Sequence, residues 1–548
     1  MNESTPRLDP FYYLRYFEQA MRWLSQCYDD LLNEEERGFL ATFSLLPQPS
    51  RALLVRLIMR RGNLFRRSRL DYPEIGDLQL ALEPLTRLSW IDRSPALSLD
   101  NLFRLFTRKE LTSTFTTLRA GATKAEALEA VRSEVTTSHP LHHWLPEHAD
   151  EILDVRIAAL CARLRALYFG NFHQEWSEFV LVDLGMFKYE AFELTTTSRA
   201  FQSRDQMDSF WRLLECSEML HLDAPPASIL GSMPTVSCDH GWVRDRHDRL
   251  LYRIAQRLEK AGESDRALQV YLACTTGEAR LRAARVFERT GKPVDALAIA
   301  DEALKAPRDD TERHKMPRIA RRLRRRLQLM ELVERPIRPP QMSLSLPLPD
   351  PFISIERYVR DQLSDEVAPA FYVENTLLNT LFGLLCWDAV FAPLPGAFFH
   401  PFHSAPADFT TPSFRERRAS QFAACLDQLE AGAYLESIRR IFHCKNGIRS
   451  PFVFWGAVAE ELLELALSCI PPAHLRLIFA RLLSGLHENC TGLPDLIQFW
   501  PHERRYRMVE VKGPGDRLQD NQRRWMHFCM KHDLPVTVCH VSWTQART

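Results

Sequence analysis

The sequence predicts a multidomain, mainly α chain that ends in an α/β domain, and three observations carry that prediction. Apolar residues recur at helical spacing through most of residues 11–330. A proline-rich stretch from Arg335 to Pro351 then breaks the pattern, because proline removes a backbone donor and fixes its own torsion. Near the C-terminus, β-branched and aromatic runs with alternating side chains appear between further helical segments.

At 548 residues, 45% apolar and 26% charged, the chain is too long for one core and ordinary for a soluble globular protein. No apolar run reaches the roughly 18 residues of a membrane span. The first residues, Met-Asn-Glu-Ser-Thr, lack the apolar core of a secretory signal. Cytoplasmic residence is therefore expected, nucleoid-associated in a bacterium or nuclear in a eukaryote. Twelve cysteines, none in a C-x-x-C pair, argue against a zinc ribbon and a disulfide scaffold. Seventy basic residues balance seventy acidic ones, so nucleic-acid binding must come from local patches.

Residues 1–140 read as an N-terminal helical region with DNA-binding features. Phe17, Met21, Leu24 and Leu31 keep helical spacing, and residues 51–69 then hold seven arginines and no acid. Leu53, Leu54, Leu57, Ile58 and Met59 interleave with the first of these as an amphipathic helix. Arg56, Arg60, Arg61, Arg66 and Arg67 are candidate phosphate contacts; the competing reading is a solvated face with arginine stems lying on apolar neighbours. From Leu97 to about residue 133, two short helices joined by a polar Gly121-Ala122-Thr123-Lys124 turn are expected, an arrangement that resembles the SAP module, a small helical DNA-binding unit. Lys124 there either meets a phosphate near a helix N-terminus or is solvated.

Residues 141–338 read as helical. Trp176, Phe179 and Trp211 mark a mixed helix-and-loop stretch, and His142, His143 and His148 form a surface cluster without metal-ligand spacing. Ala255, Leu258, Glu259, Gly262, Ala267 and Leu268 recur 29 positions later as Ala284, Phe287, Glu288, Gly291, Ala296 and Leu297. Small residues at helix contacts and a glycine at the turn describe stacked helical hairpins. They resemble tetratricopeptide repeats, although the period is shorter than the usual ~34 residues. Repair-protein partners are expected on these repeats. A second basic helix follows, with Arg318, Arg321, Arg322 and Arg325 on one stripe; DNA or an acidic surface of another domain would screen it. Residues 339–351 read as a proline-rich linker.

Residues 352–548 carry the chemistry. Glu374 opens an apolar run that reads as a buried helix to Asp388, where the helix dipole favours an acid in the first turn. The alternative is an acidic metal ligand delivered from far upstream. Tyr506 to Lys512 reads as a strand, which puts Glu510 and Lys512 on one face and turns Val511 into the core. Asp495 opens the neighbouring strand of a hairpin, Leu496 to Trp500. Two carboxylates and an ammonium on adjacent strands form a candidate site for Mg²⁺ or Mn²⁺ acting on a phosphodiester. Basic residues surround it: Arg504, Arg505, Arg507, Arg517, Arg523 and Arg524, with His443, Lys445 and Arg449. Of these, Arg517 and Lys445 are candidate DNA contacts, as are Arg322 and Arg325.

Pro494-Asp495 followed by Glu510-Val511-Lys512 is the signature of the PD-(D/E)xK nucleases, whose fold is restriction-endonuclease-like. Gly492-Leu493-Pro494-Asp495-Leu496, Met508 to Leu518 and Gln522 together resemble the VRR-NUC domain. With Thr380 to Asp388 and Val538-Cys539-His540-Val541, the run is similar to the Fanconi-associated nuclease family. That family combines a SAP region, a tetratricopeptide-like domain and a VRR-NUC domain, in the order of the readings here.

The resemblance implies Glu374, Asp495, Glu510 and the Val511 carbonyl as ligands of one or two Mg²⁺ or Mn²⁺ ions. It implies Lys512 in catalysis and Gln522 in support of the lysine and the attacking water. The implied activity is a 5′-flap endonuclease and 5′→3′ exonuclease in interstrand-crosslink repair, with branched, 5′-flap or nicked DNA as partner. No Cys-rich ubiquitin-binding finger precedes the SAP-like region, so recruitment through ubiquitin is not expected. Rival readings are a Holliday-junction resolvase and a repeat-based adaptor with an inactive nuclease fold.

Overall fold

A computed structural model of the chain describes residues 9–544, apart from residues 113–114, 116–122, 133–136, 172, 175–186, 237–240, 330–338, 349–352 and 412. The Gly121-Ala122 turn, Trp176, Phe179 and the linker residues 335–338 and 349–351 thus lie outside the described residues. The chain forms two compact units, residues 1–186 with 203–207 and residues 187–202 with 208–548.

In the first unit the expected helical spacing becomes the helix Tyr12–Tyr28, which buries Tyr13, Tyr16, Phe17, Ala20, Met21 and Leu24 on one side. Asn33 and Glu36 close a reciprocal capping box on the next helix, Glu34–Leu45. The arginine-bearing helix Gln48–Ile58 buries Ala52 to Val55 and Leu57. Three short antiparallel strands, β1 (Leu64–Arg66), β2 (Ile91–Asp92) and β3 (Ile152–Val155), pair in the order β1-β3-β2. The SAP-like segment holds helices Leu99–Leu105 and Lys124–Arg132. It extends past residue 133, since Trp144 is buried and its Nε1 donates to the Leu97 carbonyl at 2.9 Å.

The repeat of the second unit is a run of helices: Gly241–Lys260, Ser264–Ala273, Gly277–Arg289 and Pro293–Lys305, followed by Asp310–Arg326. Gly262 (φ +84°) and Gly291 (φ +79°) occupy equivalent turns, where the left-handed backbone favours a residue without Cβ.

Among the described residues the C-terminal sheet has five strands, in the order β4-β8-β7-β6-β5. These are β4 (Gln341–Leu346), β5 (Ala370–Tyr372), β6 (Leu496–Trp500), β7 (Arg505–Lys512) and β8 (Val536–Trp543). β5–β6 and β6–β7 are antiparallel, whereas β7–β8 and β4–β8 are parallel. Both faces of the central strands β6 and β7 are buried, and the pleat sends alternate residues into different cores. Leu496, Val509, Val511, Cys539 and Val541 pack with Val359 of the helix Ile355–Leu363. Ile497, Phe499, Tyr506, Met508 and Val538 join a larger core that includes the helices Leu377–Leu385, Pro472–Ser484 and Asp520–Lys531.

Three expectations change here. The linker contains β4, because the prolines flank Gln341–Leu346 and leave it free to pair as an edge strand, with one ladder only. The proline-rich stretch does not separate compact units. The repeat helices and the C-terminal sheet belong to one unit, bridged by Arg318 Nη1 to Asp520 Oδ2 at 2.7 Å and by a Thr311–Glu488 hydrogen bond. Finally, Glu374 is not in the first turn of a helix. Asn375 takes φ +52° and Glu374 lies in the turn after β5, so the helix starts only at Leu377 and the dipole account of Glu374 falls away.

Gly492 couples the loop before β6 to the helix Asp520–Lys531. Its φ is +82°, and a Cβ there would stand 2.8 Å from the backbone carbonyl carbon of Asn521. Gly492→Ala is expected to cost about 2 kcal/mol, read as a lower melting temperature, because backbone must move to relieve the clash.

Candidate active site

The β6–β7 register pairs Leu496 with Val509, so the preceding residue, Asp495, stands beside Glu510. β6 begins one residue after Asp495, and the Val511 amide donates instead to Asp495 Oδ2 at 2.8 Å. Lys512, two residues beyond Glu510 on the same face, brings its Nζ to 2.8 Å from Glu510 Oε1. All three side chains are buried, Glu510 completely. Glu374 joins from the β5 side: Val373 N–H donates to the Asp495 carbonyl at 2.9 Å, which ties the turn bearing Glu374 to the start of β6. Tyr372 Oη donates to Glu374 Oε2 at 2.5 Å, and Asn375 Nδ2 approaches Oε1 at 3.3 Å.

Burial pushes the Asp495 carboxyl above the usual carboxylate range. The Val511 amide and Lys512 pull it back, and the negative charges of Glu374 and Glu356 push it further up. Glu510 is raised in the same way, first by burial and then by Asp495, against Lys512. Sequence reading missed Glu356, which comes from the helix Ile355–Leu363 and adds negative charge to the field at Asp495.

Among the described residues, no three carboxylate, imidazole or thiolate groups close by themselves into an ion shell. A divalent cation nevertheless fits the donor set. Glu510 Oε2 is buried without a hydrogen-bond donor, and hard carboxylate oxygens held at raised pKa lack the positive charge that an ion supplies. A carboxyl whose folded pKa is raised loses stability for the fold as pH climbs from the ordinary carboxylate range through the raised value. The increase in melting temperature produced by Mn²⁺ is therefore expected to be small at about pH 5 and to grow toward about pH 8, because ion and proton compete for the same oxygens. A thermal-shift titration across that range checks it.

Gln522 lies in the helix Asp520–Lys531, as expected, but its Oε1 accepts from the Gln519 N–H at 2.9 Å. The structure thus commits that oxygen to the helix start rather than to Lys512.

The basic candidates divide into two groups. Arg56 pairs with Glu74 at 2.6 Å and lies over the Tyr13 ring. Arg66 is buried between Asp150 and Glu110, at 2.7 Å from each. Arg67 meets Glu151 at 3.3 Å, and Arg51 pairs with Glu18. The charge that looks uncompensated in residues 51–69 is therefore balanced in part by acids distant in sequence, and Arg66 is a buried structural pair. Lys445 is likewise held by Glu190 at 2.5 Å, while Trp387 Nε1 donates to the other Glu190 oxygen. On the helix Asp310–Arg326, Arg322 meets both oxygens of Glu288 and Arg318 meets Asp520, so an acidic surface of the same unit supplies part of the screening. Arg60, whose Nη1 donates to Tyr72 Oη, is exposed, as are Arg61, Lys124, Arg325 and Arg517. His142 and His143 are exposed too, with His143 stacked on His139.

A family model described as the VRR-NUC domain matches residues 429–543. Two more, described as "FAN1, HTH domain" and "Fanconi anemia-associated nuclease SAP domain", match residues 11–92 and 96–144. The helix-turn-helix was not read from the sequence, whose signals there are the helical spacing from Phe17 to Leu31 and the amphipathic arginine-rich helix. The chain is similar to a Fanconi-associated nuclease 1 homolog of Pseudomonas aeruginosa, at 46% identity over 98% of this chain and 97% of the relative. To human Fanconi-associated nuclease 1 it is 24% identical, over 97% of this chain and 62% of the human protein. The crystal structure of paFAN1 bound to 5′-flap DNA with a 2-nucleotide flap and a gap matches 99% of this chain and 100% of that chain, with TM-score 0.85 and 45% identity. A second paFAN1 structure, with a 1-nucleotide flap, matches with TM-score 0.84. With 46% identity to the Pseudomonas relative over 98% of this chain, and with the SAP and VRR-NUC matches in order along it, the chain belongs to the Fanconi-associated nuclease family.

Proposed function

We propose that this chain is a metal-dependent, structure-selective DNA nuclease. Its reactions are 5′-flap incision and 5′→3′ exonucleolytic hydrolysis of DNA phosphodiesters, in the service of interstrand-crosslink repair. The observation that carries the chemistry is the buried Asp495–Glu510 pair with Lys512 at 2.8 Å on the same strand face. The substrate preference draws on the relative, paFAN1, whose structures hold 5′-flap DNA.

Glu374, Asp495, Glu510 and the Val511 carbonyl would hold one or two Mg²⁺ or Mn²⁺ ions; such an ion, when bound, polarises the phosphate and makes its water more acidic. The chain's own residues do the rest. The Val511 amide fixes one oxygen of Asp495, so the other is presented in a set direction. Lys512 keeps an ammonium beside Glu510 in a place shielded from water, where positive charge stabilises a phosphorane more than a solvated phosphate. Exposed Arg60, Arg61, Lys124, Arg325 and Arg517 offer guanidinium and ammonium groups to DNA phosphates. The helical repeats offer a surface for repair-protein partners.

The test is a labelled panel of 5′-flap, nicked, blunt and four-way-junction DNA, digested with Mn²⁺ by the full chain. Faster cleavage of the flap, on one strand near its base, is the expected result. Paired symmetrical cuts in the junction at a higher rate would overturn the proposal in favour of a junction resolvase. No cleavage of any substrate would favour an adaptor with an inactive nuclease fold.

A further inference from the structure

The Glu374 carboxylate is the one proposed ligand that the sheet does not bury: it is exposed, at the end of a short edge strand, in a turn. An exposed glutamate would ordinarily sample several rotamers, and ordering it on an ion would cost side-chain entropy. Two neighbours remove that freedom. Tyr372 closes β5, two residues before Glu374, and its Oη donates to Glu374 Oε2 at 2.5 Å. Asn375 reaches in two directions. Its Nδ2 approaches Glu374 Oε1 at 3.3 Å, and its Oδ1 accepts from the Leu493 N–H at 3.2 Å, two residues before Asp495.

The backbone of Asn375 sits at φ +52°, a region where asparagine is among the few tolerated side chains. Asn379 adds a second tie, donating both to the Asn375 carbonyl and to the Cys490 carbonyl at 2.8 and 2.9 Å. The turn that carries Glu374 and the loop that carries Asp495 are thus locked to each other by side chains with no direct part in the chemistry. Tyr372 itself is 37% exposed, so packing does not explain its place.

We infer that Tyr372 is a positioning residue: its hydroxyl, with the Asn375 amide, holds the Glu374 carboxylate toward Asp495 and sets the affinity of the site for its divalent ion. The inference rests on the ligand reading of Glu374 in the proposed function. Loss of a group that orients a metal ligand typically weakens metal binding about 10- to 100-fold. Tyr372→Phe removes the donor and keeps the ring. Asn375→Gly removes the amide at a torsion that glycine adopts without strain.

The measurement is Mn²⁺ binding to the full-length, metal-free chain by calorimetry without DNA, set beside the Mn²⁺ dependence of flap cleavage. For Tyr372→Phe the half-saturating Mn²⁺ should rise at least about tenfold in both. The rate at saturating Mn²⁺ should fall much less, and the metal-free melting temperature should stay put. Asn375→Gly should move binding the same way by a smaller factor, as its contact is longer. Unchanged Mn²⁺ binding in Tyr372→Phe overturns the inference, as does a loss confined to the rate at saturating Mn²⁺. Glu374→Gln separates the two levels. If it also leaves Mn²⁺ binding unchanged, the ligand assignment itself has failed and takes the inference with it. If it weakens binding while Tyr372→Phe does not, only the role of Tyr372 is rejected.

Discussion

Glu510→Gln will cleave flap DNA at least about a thousandfold more slowly than the parent chain, at any Mn²⁺ concentration. The substitution keeps the size of a fully buried side chain but replaces an acceptor-only carboxylate with a group that cannot carry the charge an ion needs. It also removes the partner of the Lys512 ammonium, 2.8 Å away, and so alters the electrostatics on both sides of the reaction. The same change has an opposite sign for stability. Burial raises the Glu510 carboxyl above its ordinary range, so the ionised form strains the metal-free fold at neutral pH. The metal-free variant should therefore melt at or above the temperature of the parent at about pH 8. A dead enzyme that is no less stable is the combination expected of a functional carboxylate. Single-turnover cleavage and calorimetry read the two halves, and retention of more than about a tenth of the activity would remove Glu510 from the site.

Asp408→Ala will unfold the unit containing the C-terminal sheet more easily, by about 3–5 kcal/mol. Asp408 is buried and accepts from Arg418 Nη1 and Nη2 at 2.8 and 3.0 Å, and Arg417 reaches it as well. Arg418 has no solvent exposure, and its guanidinium lies 4.2 Å from the Phe414 ring centroid. With the aspartate gone, a guanidinium stays in the core without its counter-charge. The size of the loss thus reflects an orphaned charge rather than the net worth of the pair. Replacing both, as Asp408→Leu with Arg418→Met, should recover most of it, because the fully buried guanidinium goes with its counter-charge and only the partly exposed Arg417 loses a partner. Urea denaturation of Asp408→Leu alone and of the double variant distinguishes this from a simple cavity, which leucine at 408 would fill without any change at Arg418.

The site was readable wherever its parts share one window. Glu510, Val511 and Lys512 obey a period of 2, and Asp495 precedes an apolar run that pairs with theirs. The geometry found, with Val511 packed beneath and Glu510 and Lys512 on the opposite face, follows from that alternation. Glu374 was readable as an acid in an apolar setting. Its actual posture was not, since a positive φ at Asn375 and the Tyr372 hydroxyl hold it, and neither alters the hydrophobic pattern. In both arginine-rich stretches much of the counter-charge lies outside the window. A window shows a run of one sign, whereas Glu74, Glu110, Asp150, Glu151 and Glu288 arrive from other elements to neutralise much of it.

By itself the sequence determined the helical repeats, the hairpin that carries the acidic pair, and the class of chemistry those residues can perform. These depend on periodicity, turn residues and side-chain type, which are local properties. Tertiary structure alone decided that the proline-flanked Gln341–Leu346 is an edge strand beside β8, that the repeats and the sheet form one unit, and that Glu374 comes to Asp495. Each of these is a pairing between segments far apart in the chain. Such a pairing is selected by burying apolar area and closing backbone hydrogen bonds over the whole fold, and no short window contains that sum.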